Sequence, residues 1–165
     1  AENIENHLND VAGIRVICSF IDDVYMLENA LKKQDDIQVL ETKDYIAEPK
    51  PNGYRSLHLI VSVPIFLEQE KRLMKAEIQI RTIAMDFWAS LEHQLRYKKH
   101  VVFTDEMDRE LLYCAELSAE LDKRMDALRE QVDAQHSNDD IFEYLNREIM
   151  DIAGYPTDPT TGAHQ

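Results

Sequence analysis

The sequence is poor in the residues that build the commonest phosphate and metal sites. With four glycines among 165 residues, it contains neither the P-loop pattern nor G-x-G-x-x-G. Bound phosphates would therefore have to be held by side chains and a metal rather than by a Gly-rich backbone cradle. The two cysteines, Cys18 and Cys114, lie far apart in different expected elements. Together with the absence of H-E-x-x-H this excludes the common zinc patterns, and both are read as buried thiols rather than a disulfide. No apolar run is long enough to span a bilayer. The N-terminus, Ala1-Glu-Asn-Ile-Glu-Asn6, is acidic and polar, unlike a secretory leader, and with both cysteines read as free thiols the compartment is read as cytoplasmic.

A general basic surface is also missing. The formal net charge is −14, which does not steer polyanions toward the chain. Its distribution is uneven, however. Residues 105–165 hold 16 acids and 5 bases, a net of −11, whereas residues 1–104 hold 16 and 13, a net of −3. A confined basic pocket remains possible in the first part.

Hydrophobic periodicity and breakers predict an α+β order. Gly13–Phe20 reads as a strand with Ile14, Val16, Cys18 and Phe20 on one face. A helix over Ile21–Lys33 follows, then a strand over Ile37–Tyr45. Ile46–Gly53, with Pro49, Pro51 and Gly53, is a loop. Arg55–Val63 and Met74–Arg81 are strands. The next helix, Ile83 to about Tyr97, is expected to bury Ala84, Phe87, Trp88, Leu91 and Leu95. Thr104 caps a long amphipathic helix reaching about Val132, in which Leu121, Met125, Leu128 and Val132 follow 4-3-4 spacing. Asp140–Met150 is a further helix and Gly154–Gln165 a tail.

The chemistry concentrates on two strands. Along Met74–Arg81, Lys75, Glu77, Gln79 and Arg81 share the face opposite Met74, Ala76, Ile78 and Ile80, because strand side chains alternate. In the other strand Tyr54, Ser56 and His58 oppose Arg55, Leu57, Leu59 and Val61. A half-solvated sheet also alternates in this way. The composition, however, suits a charged, planar ligand: an aromatic ring, a histidine, a carboxylate, a carboxamide and cations. A carboxylate within a strand is disfavoured by propensity, so Glu77 needs a reason. Asp10 with Glu77 would suit Mg²⁺, which takes one or two carboxylates plus substrate phosphates. Tyr54 is a candidate to stack on a base. Arg15, Lys43, Lys50, Arg55, Arg81, Arg96 and Lys98 would neutralise phosphates if they converge.

Four blocks, in this order, resemble the synthetase domain of RelA/SpoT-type enzymes: Asp10-Val-Ala-Gly-Ile-Arg15, the run from Asp44 to His58 (D-Y-I-A-E-P-K-P-N-G-Y-R-S-L-H), Glu77-Ile-Gln-Ile-Arg-Thr82, and the run from Asp86 to Lys98 (D-F-W-A-S-L-E-H-Q-L-R-Y-K). Without a His-Asp dipeptide, and with a helical C-terminal part, the chain is most similar to a stand-alone small alarmone synthetase. The resemblance implies a nucleotidyltransferase-like α+β fold with a mixed sheet flanked by helices. It implies Mg²⁺-dependent transfer of pyrophosphate from ATP to the 3′-hydroxyl of GTP or GDP, giving pppGpp or ppGpp and AMP.

Carried over by position, Asp10 and Glu77 match the metal-binding, catalytic carboxylates, and Tyr54 the tyrosine stacking on the acceptor guanine. Lys50, His58 and Gln79 match positions around the guanosine nucleotide. Arg15 matches a donor-side contact, and Arg55 and Arg81 lie where ATP or phosphate contacts, or structural roles, are expected. Glu77 is the leading candidate for the base, with His58 the other. The resemblance further implies a homotetramer. It divides the chain into a synthetase core over 1–104, C-terminal oligomerisation helices over 105–153 and a tail over 154–165. It also implies a basic helical segment before Asp10. Only nine residues precede Asp10 here, none of them Lys or Arg, so the core is expected to lack that segment.

Two other readings compete. One is a relative acting on the 3′ end of tRNA, for which an acidic chain is a poor partner. The other is a nucleotide-binding or assembly module without turnover.

Overall fold

A computed structural model of the chain describes residues 12–68, 70–98 and 102–152, with side chains to residue 136. The expected metal ligand Asp10 and the tail Gly154–Gln165 lie outside these residues.

Four strands and three helices follow along the described residues: β1 (Ala12–Cys18), α1 (Ile21–Lys32), β2 (Gln38–Asp44), β3 (Leu57–Phe66), β4 (Lys71–Thr82), α2 (Ile83–Arg96) and α3 (Asp105–Ile152). The sheet runs β1-β4-β3-β2. β1 pairs parallel with β4, and the other two pairings are antiparallel. The expected mixed sheet is thus present.

β4 is central, and its alternation sorts its side chains. Ala76, Ile78 and Ile80 join Leu57, Leu59 and Val61 of β3 and Val24 of α1 in one buried cluster. Full burial of each larger aliphatic side chain stabilises the fold by roughly 1.5–3 kcal/mol. Asp22 and Asp23 sit in the first turn of α1, where the helix dipole favours acids. The Asp23 carboxylate also accepts the Phe20 backbone N–H at 3.2 Å. The opposite face of β4 carries Glu77, Gln79 and Arg81, with His58 of β3 in register beside Gln79.

The connection from β2 to β3 is folded on itself. Asp44 Oδ1 accepts the backbone N–H groups of Ile46 and Ala47 at 2.9 and 3.0 Å. Its other oxygen accepts the Tyr25 hydroxyl at 3.1 Å. Burial first, then this bond and the carboxylate charge, push the Tyr25 pKa up to about 12. Lys50 N–H donates to the Tyr54 carbonyl, and Gly53 N–H donates back to the Lys50 carbonyl at 2.8 Å. The Gly53 φ of 89° lies in the left-handed region, where a side chain is strained.

α2 starts cleanly, with Thr82 Oγ1 accepting the Met85 N–H at 3.2 Å. Its buried face differs from the expected stripe. Met85, Trp88 and Ala89 are buried, whereas Phe87, Leu91 and Leu95 are exposed. Polar anchors set the helix's rotation: the Trp88 indole N–H donates to the Leu111 carbonyl at 2.9 Å, and Ser118 Oγ donates to the Ala84 carbonyl at 3.0 Å. The burial of Cys18 is partial, and Cys114 is exposed, contrary to expectation. Cys114 lies on the α3 side that carries Leu117, Leu121 and Met125, all open to solvent. The expected break between Val132 and Asp140 is absent, since α3 continues to Ile152. The chain divides into two compact units, Ala1–Asp126 and Ala127–Gln165. The whole sheet, β1 to β4, lies in the first.

No helix among the described residues is long and apolar enough to cross a membrane.

Candidate active site

Five side chains on the polar face of β3 and β4 and the loop before them close into one hydrogen-bonded ring. His58 Nδ1 lies 2.7 Å from Glu77 Oε1. His58 Nε2 lies 2.9 Å from the Tyr54 hydroxyl. That hydroxyl accepts from Arg81 Nη2 at 2.6 Å, and the same Nη2 donates to Gln79 Oε1 at 3.1 Å. The Gln79 amide then donates to Glu77 Oε2 at 3.2 Å. Strand alternation places Glu77, Gln79 and Arg81 on one face, and the β3–β4 register brings His58 opposite Gln79. Tyr54 arrives from the loop because Asn52 Oδ1 accepts its backbone N–H at 3.2 Å.

Donor and acceptor chemistry orients the ring. Burial is the largest influence on His58 and pushes its pKa down; the Glu77 hydrogen bond and charge oppose this, and the Arg81 and Lys50 cations reinforce it. A neutral imidazole donates from one nitrogen and accepts at the other. Nδ1–H thus donates to the Glu77 carboxylate, and Nε2 accepts the Tyr54 O–H. Each Glu77 oxygen receives one of these bonds and keeps further acceptor capacity.

Two cations flank the Tyr54 ring. Lys50 Nζ lies 5.0 Å, and Arg81 Cζ 5.2 Å, from its centroid. Lys50 is also 4.6 Å from the Tyr45 ring, and Tyr45 meets His58 edge-on with centroids 5.3 Å apart. Tyr45 and Asp86 belong to this cluster and were not singled out as site residues from the sequence. The sequence places Tyr45 at the end of a strand, next to the Pro/Gly loop, whereas β2 ends at Asp44 and Tyr45 opens the connection that also presents Lys50 and Tyr54. Asp86 Oδ1 lies 3.1 Å from Arg81 Nη1 and 3.5 Å from Arg15 Nη1.

The nominated residues therefore separate. Glu77, Gln79, His58, Tyr54, Arg81 and Lys50 converge, and Arg15, in register opposite Gln79, reaches them through Asp86. Arg55 does not join them. It lines a space with Met85, Ala119 and Asp122, and its buried Nε has no hydrogen-bond partner among the described residues. Asp10 lies outside the described residues. Lys43 pairs with Glu41 at 3.4 Å, and Arg96 pairs with Glu92 and Asp108 on and beside α2, all apart from the cluster.

A metal has one described carboxylate available here, Glu77, which opposes Gly13 of β1 in register. Among the described residues, no group of three or more His, Cys, Asp or Glu side chains is placed to hold a metal ion. That donor set does not build an all-protein cage. It does suit a hard cation that takes one or two carboxylates and completes its shell with water and phosphate oxygens.

Residues 1–101 match the protein-family profile described as "Region found in RelA / SpoT proteins". GTP pyrophosphokinase YwaC of Bacillus subtilis is 48% identical over 132 residues, covering 80% of this chain and 63% of the relative. GTP pyrophosphokinase YjbM of the same organism is 38% identical over 125 residues, covering 76% and 59%. The chain thus spans about three-fifths of the length of these relatives. Among solved structures, small alarmone synthetase 2 from B. subtilis superposes with a TM-score of 0.73 at 50% identity, over 76% of this chain and 68% of that one. Small alarmone synthetase 1 from B. subtilis, bound to its product pppGpp, gives 0.73 at 38% identity, over 80% and 67%. The fold is the nucleotidyltransferase-like α+β fold of small alarmone synthetases. The chain belongs to the RelA/SpoT family.

Proposed function

We propose that this chain is the catalytic part of a GTP/GDP pyrophosphokinase that transfers pyrophosphate from ATP to the 3′-hydroxyl of GTP or GDP. The observation that carries the reading is the closed ring Tyr54–His58–Glu77–Gln79–Arg81. It gathers on one sheet face a stacking ring, a carboxylate with spare acceptor capacity and a cation fixed beside both.

In this reading the guanine stacks on Tyr54 while Lys50 and His58 border the nucleotide. The 3′-hydroxyl oxygen attacks the β-phosphorus of ATP, the bond from that phosphorus to the α–β bridging oxygen breaks, and AMP leaves. Glu77 takes the hydroxyl proton, and its bonds from His58 and Gln79 hold the carboxylate in place. Arg15 offsets charge that develops on the phosphoryl oxygens, and the enclosed Arg81 adds to the positive field behind it. Glu77, with Asp10, would hold Mg²⁺, which supplies neutralisation and alignment of the polyphosphate when bound. Arg55, turned toward Asp122, has a structural role.

The natural form of the protein is read as a cytoplasmic homo-oligomer, a tetramer by family resemblance. An open apolar groove along Phe20, Ile83, Phe87, Leu117, Leu121 and Met125 favours burial against a second copy.

The test follows label from [γ-³²P]ATP in the full-length protein. The label is expected in a guanosine nucleotide with the parent sequence and not with Glu77→Gln. Label released only as inorganic phosphate would overturn the reading.

A further inference from the structure

Asp86 sits in the first turn of α2, outside the hydrogen-bonded ring but against it. We infer that Asp86 is a positioning residue of the site, acting on the guanosine nucleotide through Arg81. The inference rests on the pyrophosphokinase reading above.

Arg81 has a side chain only 5% exposed. A charge so buried needs a partner. Among the described residues, its ion pair is with Asp86, and its buried Nε meets no hydrogen-bond acceptor. The guanidinium is a planar, rigid fork. Anchoring Nη1 on Asp86 therefore fixes where Nη2 points, and Nη2 holds both the Tyr54 hydroxyl and Gln79. Through Tyr54 and His58 on one side and Gln79 on the other, the anchor reaches both oxygens of the Glu77 carboxylate.

The same Asp86 oxygen lies 3.5 Å from Arg15, whose side chain is 52% exposed. The two arginines hold it unequally. Arg81 is enclosed, so an incoming polyphosphate does not displace its carboxylate. Arg15 is open, and its weaker, longer contact can be exchanged for phosphate oxygens. Asp86 thus fixes one cation permanently and parks the other. α2 provides a rigid base for this, because Thr82 caps its first turn and Trp88 and Ser118 tie it down.

The test compares the parent, Asp86→Asn, Asp86→Glu, Arg81→Lys and the Asp86→Asn/Arg81→Lys double variant in the full-length protein. Each is assayed by thermal melting, equilibrium binding of N-methylanthraniloyl-GDP and steady-state kinetics. Asp86→Asn keeps the size and an oxygen but loses the charge. It is expected to melt clearly below the parent, because Arg81 loses its buried partner, while the folded protein binds the probe about tenfold more weakly and loses kcat/KM about tenfold. Asp86→Glu, which restores the charge, is expected to recover most of the binding. The double variant should be no worse than Arg81→Lys alone, because residues acting as one unit are not additive.

Unchanged binding and kcat/KM in Asp86→Asn would overturn the inference. So would additive losses in the double variant. If Asp86→Asn does not fold, the comparison of Asp86→Glu with Arg81→Lys decides: loss in Arg81→Lys with retention in Asp86→Glu supports the inference, and the reverse overturns it. A parent that neither binds the probe nor forms product refutes the pyrophosphokinase reading itself, which is a separate result.

Discussion

The imidazole of His58 and the carboxylate of Glu77 lie 2.7 Å apart, and they come from neighbouring antiparallel strands rather than from neighbours in sequence. This bond fixes one oxygen of Glu77, and Gln79 fixes the other. The carboxylate is held at two points, which is what a group that must meet a hydroxyl in a defined geometry requires. Replacing Glu77 by Gln keeps the shape and removes the proposed base. Turnover should fall by about 10²–10⁴-fold, while binding of the guanosine nucleotide changes little. Parallel product assays and equilibrium binding check this; unchanged turnover would remove Glu77 from the chemistry.

The proposed reaction gives Tyr54 two separable roles, stacking for its ring and anchoring for its hydroxyl. Tyr54→Phe keeps the ring but leaves Arg81 Nη2 and His58 Nε2 short of a partner, at a cost of about 1–3 kcal/mol in stability. Tyr54→Ala should in addition weaken guanosine-nucleotide binding by about 1–3 kcal/mol through lost stacking. Melting curves and calorimetric titration of both variants would separate the two effects. Equal binding by Phe and Ala would contradict the stacking role.

Gly53 has no room for a side chain. A Cβ there would overlap that of Ala115 in α3 and press on Leu112, in addition to the strain of a φ of 89°. Gly53→Ala should destabilise the protein by roughly 1–3 kcal/mol. Adding Ala115→Gly relieves the overlap. The double variant should therefore be more stable than the sum of the single effects, as a double-mutant cycle of melts would show.

Asp122 gives a pH dependence of known sign. It is buried and accepts the Thr82 hydroxyl at 2.6 Å. Burial pushes its pKa above the ordinary 3.8; the nearby Asp126 adds to this, while the Thr82 bond and Arg55 oppose it. The folded state therefore holds this proton more tightly than the unfolded chain does. Its contribution to stability is largest at low pH and is lost as pH rises from about 4 through the raised pKa. Asp122→Asn still accepts from Thr82 and does not titrate. Its melting temperature relative to the parent should climb with pH over that window; a constant difference would contradict this.

The groove along Phe87, Leu117 and Leu121 predicts the effect of a charge placed in it. Leu121→Glu should shift the assembly toward smaller species in size-exclusion chromatography with light scattering, leaving the helical circular dichroism intact. A parent that is monomeric at all concentrations would contradict the oligomer reading.

Much of this was legible in the sequence, because strand alternation is a strong local rule. Lys75–Arg81 against Met74–Ile80 read off both the core face and the polar face of β4. The convergence of Tyr54 with His58, Glu77 and Arg81 followed from family resemblance, since strand register is a tertiary property. The buried side of α2 was misread. Phe87, Leu91 and Leu95 make a good apolar stripe, but polar anchors at Trp88 and Ser118 turn the helix to bury Met85 and Ala89 instead. Arg55 is expected from its motif to have a phosphate or a structural role; it lies with Met85, Ala119 and Asp122 rather than in the Tyr54–Glu77 ring, because a motif does not set which way a side chain turns. The contacts of Asp86 with Arg15 and Arg81 are tertiary, since the two arginines are 71 and 5 residues away in the chain and strand register brings them together.

The central claim is tested most directly by incubating the full-length protein with ATP, Mg²⁺ and either GDP or GTP, then resolving the nucleotides by anion exchange. The account predicts AMP and, in equal amount, a guanosine nucleotide carrying two more phosphates than the one supplied. ATP left intact, or hydrolysed without a new guanosine product, would contradict it.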